Sequence, residues 1–253
     1  MIDCVIGAAV GYTGEQIRPF LKSLRSTGYI GGIILFANGG AATEAAKWGV
    51  DVRPCPKVKT LPHAERFYWI CDALSQLDCE GVLCVDTRDI IFQINPASLP
   101  DEGLHTFEED NSMTIGSCPY NSEWVKIGYG AGVLAKMKNF PISCVGSICG
   151  DLLSVTLHLQ ALVAELHRLQ PLTRKPQDQS CHNFLIRNSW DEQFNGFIHS
   201  NEDAEIYTVG YIPRETVVIK DDKILNKSGL VPTVIHQWER HNNLMVMVDE
   251  IYG

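Results

Sequence analysis

The segment Asp86-Thr87-Arg88-Asp89 is where residue types and spacing most plainly admit chemistry. Three charged side chains in four positions follow the apolar run Val82-Leu83-Cys84-Val85 and precede Ile90-Ile91-Phe92. Burying such charges without partners would cost several kcal/mol. Two carboxylates can hold a divalent cation, and an arginine can grip a phosphate. Three further groups could join them: Arg66-Phe67, Asp178-Gln179-Ser180-Cys181-His182-Asn183 and His236-Gln237-Trp238-Glu239-Arg240. Each also has a purely structural reading. Asp86 and Asp89 can bracket Arg88 in an ionic network. Asp178 can cap a helix, and His182 and Asn183 can be ordinary surface residues of that helix. His236 can be a core histidine, and Arg66 a solvated helix residue.

Val82 to Val85 reads as a strand buried on both faces. The charges then sit at its carboxyl end, where open α/β sheets bind ligands. Upstream, Ile2 to Val10 is a first strand, and a helical pattern runs through Ile17, Phe20, Leu21 and Leu24, with its start expected near Pro19. Gly32 to Ala37 is a second strand, Ala42 to Trp48 a short helix, Val50 to Val52 a brief extended piece and His63 to Leu77 a patterned helix. The first ninety residues therefore alternate strand and helix, a Rossmann-like half with a parallel sheet. The glycines between Gly7 and Gly14 fit neither the dinucleotide fingerprint nor the phosphate loop. A nucleotide would be held there through backbone groups, at Ala8 and its neighbours. Residues 104 to 150 read as irregular, rich in Gly, Ser, Cys and Tyr. Leu152 to Leu169 is the longest helix and Asp178 to Arg187 a shorter one. Short strands follow at Ile206 to Val209, Thr216 to Ile219 and Val234 to His236, with a closing helix at Leu244 to Tyr252. The second half thus reads as sheet and turns wrapped onto the first sheet. A single domain over 1–253 is expected, with 1–95 as a nucleotide-binding half and 96–253 as an acceptor-binding half with a C-terminal segment.

The formal net charge of −9 over 253 residues, with no Lys/Arg cluster, argues against binding nucleic acid through phosphate neutralisation. No apolar run reaches eighteen residues, so no transmembrane helix is expected. The N-terminus lacks the basic region of a signal peptide. The 9 cysteines contain no Cys-x-x-Cys pair and no zinc-finger partners. They read as thiols in a reducing compartment, and a cytoplasmic location is expected.

Taken in order, Arg66-Phe67, Asp86-x-Arg88-Asp89-Ile90-Ile91-Phe92-Gln93-x-x-Pro96, Asp178-Gln179-x-x-His182-Asn183 and His236-Gln237-Trp238-x-Arg240 resemble the nucleotide-sugar glycosyltransferases of the GT-A fold. The resemblance covers the chain from Arg66 to Arg240. It implies an α/β fold with a mixed sheet flanked by helices. The implied activity is transfer of a sugar from a nucleotide-diphosphate sugar to a glycan or other hydroxyl acceptor. It implies that Asp86 reaches the ribose or base side and the metal, that Asp89 faces the metal, and that His236 supplies an imidazole to it, as in retaining relatives. Such a donor set suits Mn²⁺ (or Mg²⁺) better than Ca²⁺. Ala8, Arg66 and Arg88 join the donor contacts. Arg88 stands where the commoner Asp-x-Asp has its metal-binding carboxylate; it can pair with Asp86 or Asp89, or clamp the diphosphate. On an unbroken strand Asp89 points away from Asp86, so it joins the metal only if the chain turns. By the same resemblance Asp178 contacts the donor sugar near its anomeric carbon. In an inverting mechanism Asp178 and Asp151 are the candidate general bases; the late His236 favours retention. Val145 to Gly150 falls at the family's small-residue turn, where Gly146 and Gly150 would let the backbone approach a ligand. Acceptor pockets are expected from residues 104 to 150 and 190 to 230. Two other readings stay open. A sugar nucleotidyltransferase would want a Lys- or Arg-bearing loop after the first strand, and none precedes Arg18. A nucleotide-sugar or glycan-binding module would keep the site without turnover.

Overall fold

A computed structural model describes residues 1–56, 61–188 and 196–253. The first half alternates as its sequence pattern requires. Strands β1 (Ile2–Ala9), β2 (Gly32–Ala37), β3 (Asp51–Arg53) and β4 (Gly81–Val85) are separated by helices α1 (Gly14–Ser26), α2 (Gly39–Ala46) and α3 (Pro62–Leu74). They are joined by β6 (Leu104–Glu108), β7 (Ser143–Asp151) and β8 (Gly196–His199) in a seven-stranded sheet of order β3-β2-β1-β4-β7-β6-β8. The first four strands pair in parallel, β7 runs antiparallel to both β4 and β6, and β8 is parallel to β6. The chain leaves β1 toward β2 on one side and returns to β4 on the other. That reversal opens a crevice at the carboxyl ends of β1 and β4.

Side chains of β1 alternate between two cores, as a strand covered on both faces must. Ile2, Val5 and Ala9 pack with α1 and α2; Cys4, Ile6 and Ala8 pack with α3 and α5 (Leu152–Leu169). A smaller sheet follows the acidic segment. In it β12 (Val234–His236) lies between β5 (Ile90–Phe92) and β9 (Ile206–Thr208). A hairpin of β10 (Val218–Lys220) and β11 (Lys223–Leu225) and a closing helix α7 (Asn242–Tyr252) complete the C-terminal part. No helix among the described residues is long and apolar enough to cross a membrane. All nine cysteines stand as thiols, six of them buried.

Three expectations are corrected. Helix α1 begins at Gly14, well before Pro19, because Thr13 and Gln16 form a reciprocal capping box that starts it; Pro19 is tolerated in the second turn. Residues 104–150 are regular, holding β6, α4 (Pro119–Met137) and β7. Gly130, at φ 85°, interrupts α4, and six of the nine residues of β7 are Ser, Cys or Gly, so neither shows a clear pattern. The second half is not an add-on of sheet and turns. It supplies three strands of the main sheet and the longest helices. Residues 190–195, within the expected acceptor segment, lie outside the described residues.

Helix α6 (Asp178–Arg187) shows why the second half is integral. Strand β7 runs past the end of β4, leaving Ser143 to Gly146 without a strand partner on that side. Side chains of α6 take its place. Asn183 accepts from Ser143 N at 2.9 Å and donates to Ser143 O at 2.8 Å. Gln179 accepts from Val145 N at 2.9 Å and donates to Ser143 O at 3.0 Å. His182 meets Ser143 Oγ at 3.0 Å and His158 at 3.0 Å. His182 and Asn183, which could have been surface residues, are fully buried. Replacing Asn183 by alanine strips both backbone groups of Ser143 of a partner. It is expected to lower stability by about 2–3 kcal/mol, read as a lower urea midpoint with an unchanged slope.

Candidate active site

The crevice at the ends of β1 and β4 is a cleft of about 370 Å³. Strand β4 stops at Val85 and residues 86–89 bend before β5 begins. This turn brings Asp89 back beside Asp86. Thr87, buried beneath, donates to the Ala8 carbonyl at 2.9 Å and ties the turn to β1. Asp86 N donates to Gly146 O at 2.8 Å and ties it to β7. The third arm arrives from far along the chain. In the β12–β5 register His236 pairs with Ile90, next to Asp89, and Gln237 N donates to Asp89 O at 2.8 Å. Gln237 takes the left-handed conformation, φ 62°, and this turns the chain out of β12.

His236 is 1% exposed, and its Nε2 lies 3.5 Å from Asp86 Oδ2 and 3.6 Å from Asp89 Oδ2. Its Nδ1 is 3.5 Å from Cys144 Sγ, which orients the ring. One ligand atom from each of Asp86, Asp89 and His236 lies within 4.8 Å of the others. His236 Nε2 has no hydrogen-bond partner. Two carboxylates and an imidazole with its second nitrogen held elsewhere fit a divalent cation of the Mn²⁺ type. Burial works against the imidazolium, but Cys144, Asp89 and Glu109 outweigh it and push the His236 pKa up to about 9. Gly146 makes the room: a Cβ there would lie 2.5 Å from Asp86 Oδ2 and 2.6 Å from His236 Cε1.

Arg66, on α3, forms an ion pair with Asp86 and reaches Asp178 at 3.9 Å. It is therefore a bridge between two carboxylates of the cleft, not a solvated residue. Asp178 is the first residue of α6, buried, and lines the cleft; Gln177 occupies the cap position. Arg88 pairs with neither Asp86 nor Asp89. It lies 2.8 Å from Glu239 and over the ring of Tyr12 at 5.9 Å, with its side chain exposed at the cleft mouth. Ala8, Arg66, Asp86, Arg88, Asp89, Gly146 and Asp178 all line the cleft.

Two expected residues do not join them. Asp151 lies opposite Gly81, at the other end of β4, roughly 17 Å of strand from Asp86. Its carboxylate caps α5, accepting from Ser154 N and Ser154 Oγ at 2.7 Å each and from Gly103 N at 2.7 Å. A general base cannot act from there. Gly150 is at that same end. It serves close strand packing, since a Cβ would fall 1.9 Å from Gly103 O. The segment expected as a turn, Val145 to Gly150, is continuous strand.

The sequence reading missed Glu109, Tyr120, Asn121, Trp124 and Tyr211, which line the same cleft. Glu109 is buried with its Oε2 unpartnered, and burial raises its pKa, with His236 and Arg240 opposing. The only available signal was its place in the charged run Glu108-Glu109-Asp110 after an apolar stretch. Comparison of the chain with protein-family models and with curated proteins gave no match. The site is thus read from its geometry.

Two outcomes follow. Gly146→Ala is expected to weaken Mn²⁺ binding by about tenfold or more while the chain still unfolds cooperatively, measured by the loss of the free-ion electron paramagnetic resonance signal. A cation bound between Asp86, Asp89 and His236 would also have to displace the His236 proton. Mn²⁺ affinity should therefore rise with pH toward about 9 and fall as pH drops, and calorimetry in buffers of different ionisation enthalpy should show proton release on binding.

Proposed function

We propose that this chain is a glycosyltransferase that moves a sugar from a nucleotide-diphosphate donor to a hydroxyl acceptor, with Mn²⁺ or Mg²⁺ held by Asp86, Asp89 and His236. One observation carries this reading. The three ligand atoms converge within 4.8 Å; Asp86 and Asp89 line the same cleft as the Arg66–Asp178 pair, and His236 is buried directly behind them. Bound there, the cation would neutralise a diphosphate and stabilise the charge that grows on it as the glycosidic bond breaks.

The chain's own residues divide the remaining work. Arg66 holds Asp86 and Asp178 at once and so fixes the distance between the diphosphate end and the sugar end. Arg88, at the mouth beside Tyr12, adds positive charge for a phosphate that extends past the cation. Asp178 orients the donor hydroxyls and stabilises positive charge developing at the anomeric carbon. With Asp151 remote, Asp178 is the one of the two expected bases that reaches the cleft. In the retaining course that His236 suggests by analogy, the departing diphosphate takes the acceptor proton. The nucleotidyltransferase reading gains nothing from the turn after β1. Of the first amides of α1, the Thr13–Gln16 box already occupies that of Gln16, so fewer remain for a phosphate.

A thermal-shift screen of nucleotide sugars with and without Mn²⁺ tests this reading. At least one donor should raise the melting temperature only when Mn²⁺ is present, and that donor should be hydrolysed slowly without acceptor. Stabilisation without hydrolysis would leave a binding module, and no stabilisation by any donor would sink the proposal. Asp89→Ala should abolish the Mn²⁺-dependent shift. Asp178→Asn should keep the shift and lower turnover by about a hundredfold or more.

A further inference from the structure

We propose that the wall of the cleft formed by the first turns of α4 is a carbohydrate subsite, and that its occupant is a pyranose ring of the acceptor. It rests on the glycosyltransferase reading only for the word acceptor. Tyr120 and Trp124 stand one helical turn apart, at positions i and i+4, with ring centroids 6.0 Å apart and planes tilted by 38°. Both line the cleft, and Tyr120 is 61% exposed. Among the described residues, neither packs into any of the four apolar clusters. Two large aromatic rings thus face the cleft without serving the core.

The polar half of the subsite lies in the same cleft. Glu109 follows directly on β6 and is 5% exposed. Its Oε1 accepts from Gln179 Nε2 at 3.1 Å, while its Oε2 lacks a hydrogen bond of ordinary geometry, with the weak thiol donor of Cys144 nearby. A buried carboxylate oxygen left unmatched is costly, and a ligand hydroxyl would complete it. Asn121, buried between the two aromatic positions, donates to Cys118 Sγ at 3.3 Å and also lines the cleft. A pyranose has what these groups require: an apolar C–H face with slightly positive hydrogens for the negative ring faces, and an edge of hydroxyls for the carboxylate. Ala8, Tyr12 and Arg88 line the same cleft from other elements, and we assign them to the nucleotide.

The test uses the full chain and a panel of methyl glycosides (glucose, galactose, mannose, xylose and N-acetylglucosamine), with saturation-transfer NMR as the readout. A parallel arm measures UDP binding with MnCl₂ by thermal shift. At least one glycoside should bind. Tyr120→Ala and Trp124→Ala should each weaken it by about tenfold or more, Trp124→Phe should restore most of it, and UDP–Mn²⁺ binding should stay at the wild-type level in all three. Glu109→Gln should change which glycoside binds best. The glycoside signal should persist when UDP and Mn²⁺ are present. The proposal is overturned if no glycoside binds, if the two alanine variants bind like wild type, or if UDP displaces the glycoside. Glycoside binding in a chain that fails to bind any nucleotide would support the subsite while removing the transferase reading.

Discussion

Strand β4 ends at Val85, while its antiparallel neighbour β7 extends past it by the stretch Ser143 to Gly146. The backbone groups of that stretch are buried and must be matched. Nearly everything about the cleft follows from how this is done. Asp86 N takes the Gly146 carbonyl, so the acidic turn is anchored as it leaves the sheet. Gln179 and Asn183 take Val145 and Ser143, so α6 is pinned where Asp178 reaches the cleft. A side-chain ladder in place of a strand leaves a gap in the sheet, and the gap is the site. The walls formed by α6 and the acidic turn are consequently held to β7 by buried hydrogen bonds.

The charges in the cleft are unevenly matched. Arg66 is shared by Asp86 and Asp178, and Arg88 is committed to Glu239. Among the described residues, Asp89 and Glu109 form no ion pair with a lysine or arginine. A globular protein tolerates such carboxylates when a ligand completes them. Both act on His236, and we read them as serving different occupants of the cleft. Asp89 faces a cation site with His236, and Glu109 faces a sugar hydroxyl. One surplus of negative charge is thereby divided between a metal task and a recognition task.

The alternating first half was legible because β-branched runs and amphipathic helices carry their own period, and the acidic turn was legible because charge after a buried strand is improbable without a use. Asp178 and His236 stood out by residue type and order. The fold of residues 104–150 did not. Strand β7 is mostly Ser, Cys and Gly, and two of its glycines are required, Gly146 to leave room for Asp86 and His236 and Gly150 for Gly103. Small residues carry no strand signal, so the constraint that shapes the site also hid the strand. Asp151 misled for a related reason. A carboxylate beside glycines reads the same whether it caps a helix or faces a ligand, and only the direction of β7 separates the two. Glu109, Tyr120 and Trp124 are of ordinary types at ordinary spacings, and only the tertiary fold gathers them.

The three candidate ligands are far apart in sequence: His236 follows Asp89 by 147 positions (236 − 89). A cation seated between them would act as a cross-link closing almost three-fifths of the chain. Its binding free energy would then be folding free energy for everything the loop contains, from β5 through β12. The small sheet that presents His236 is made of three-residue strands, short enough to depend on such a tie. On this view the ion belongs to the architecture as much as to the chemistry.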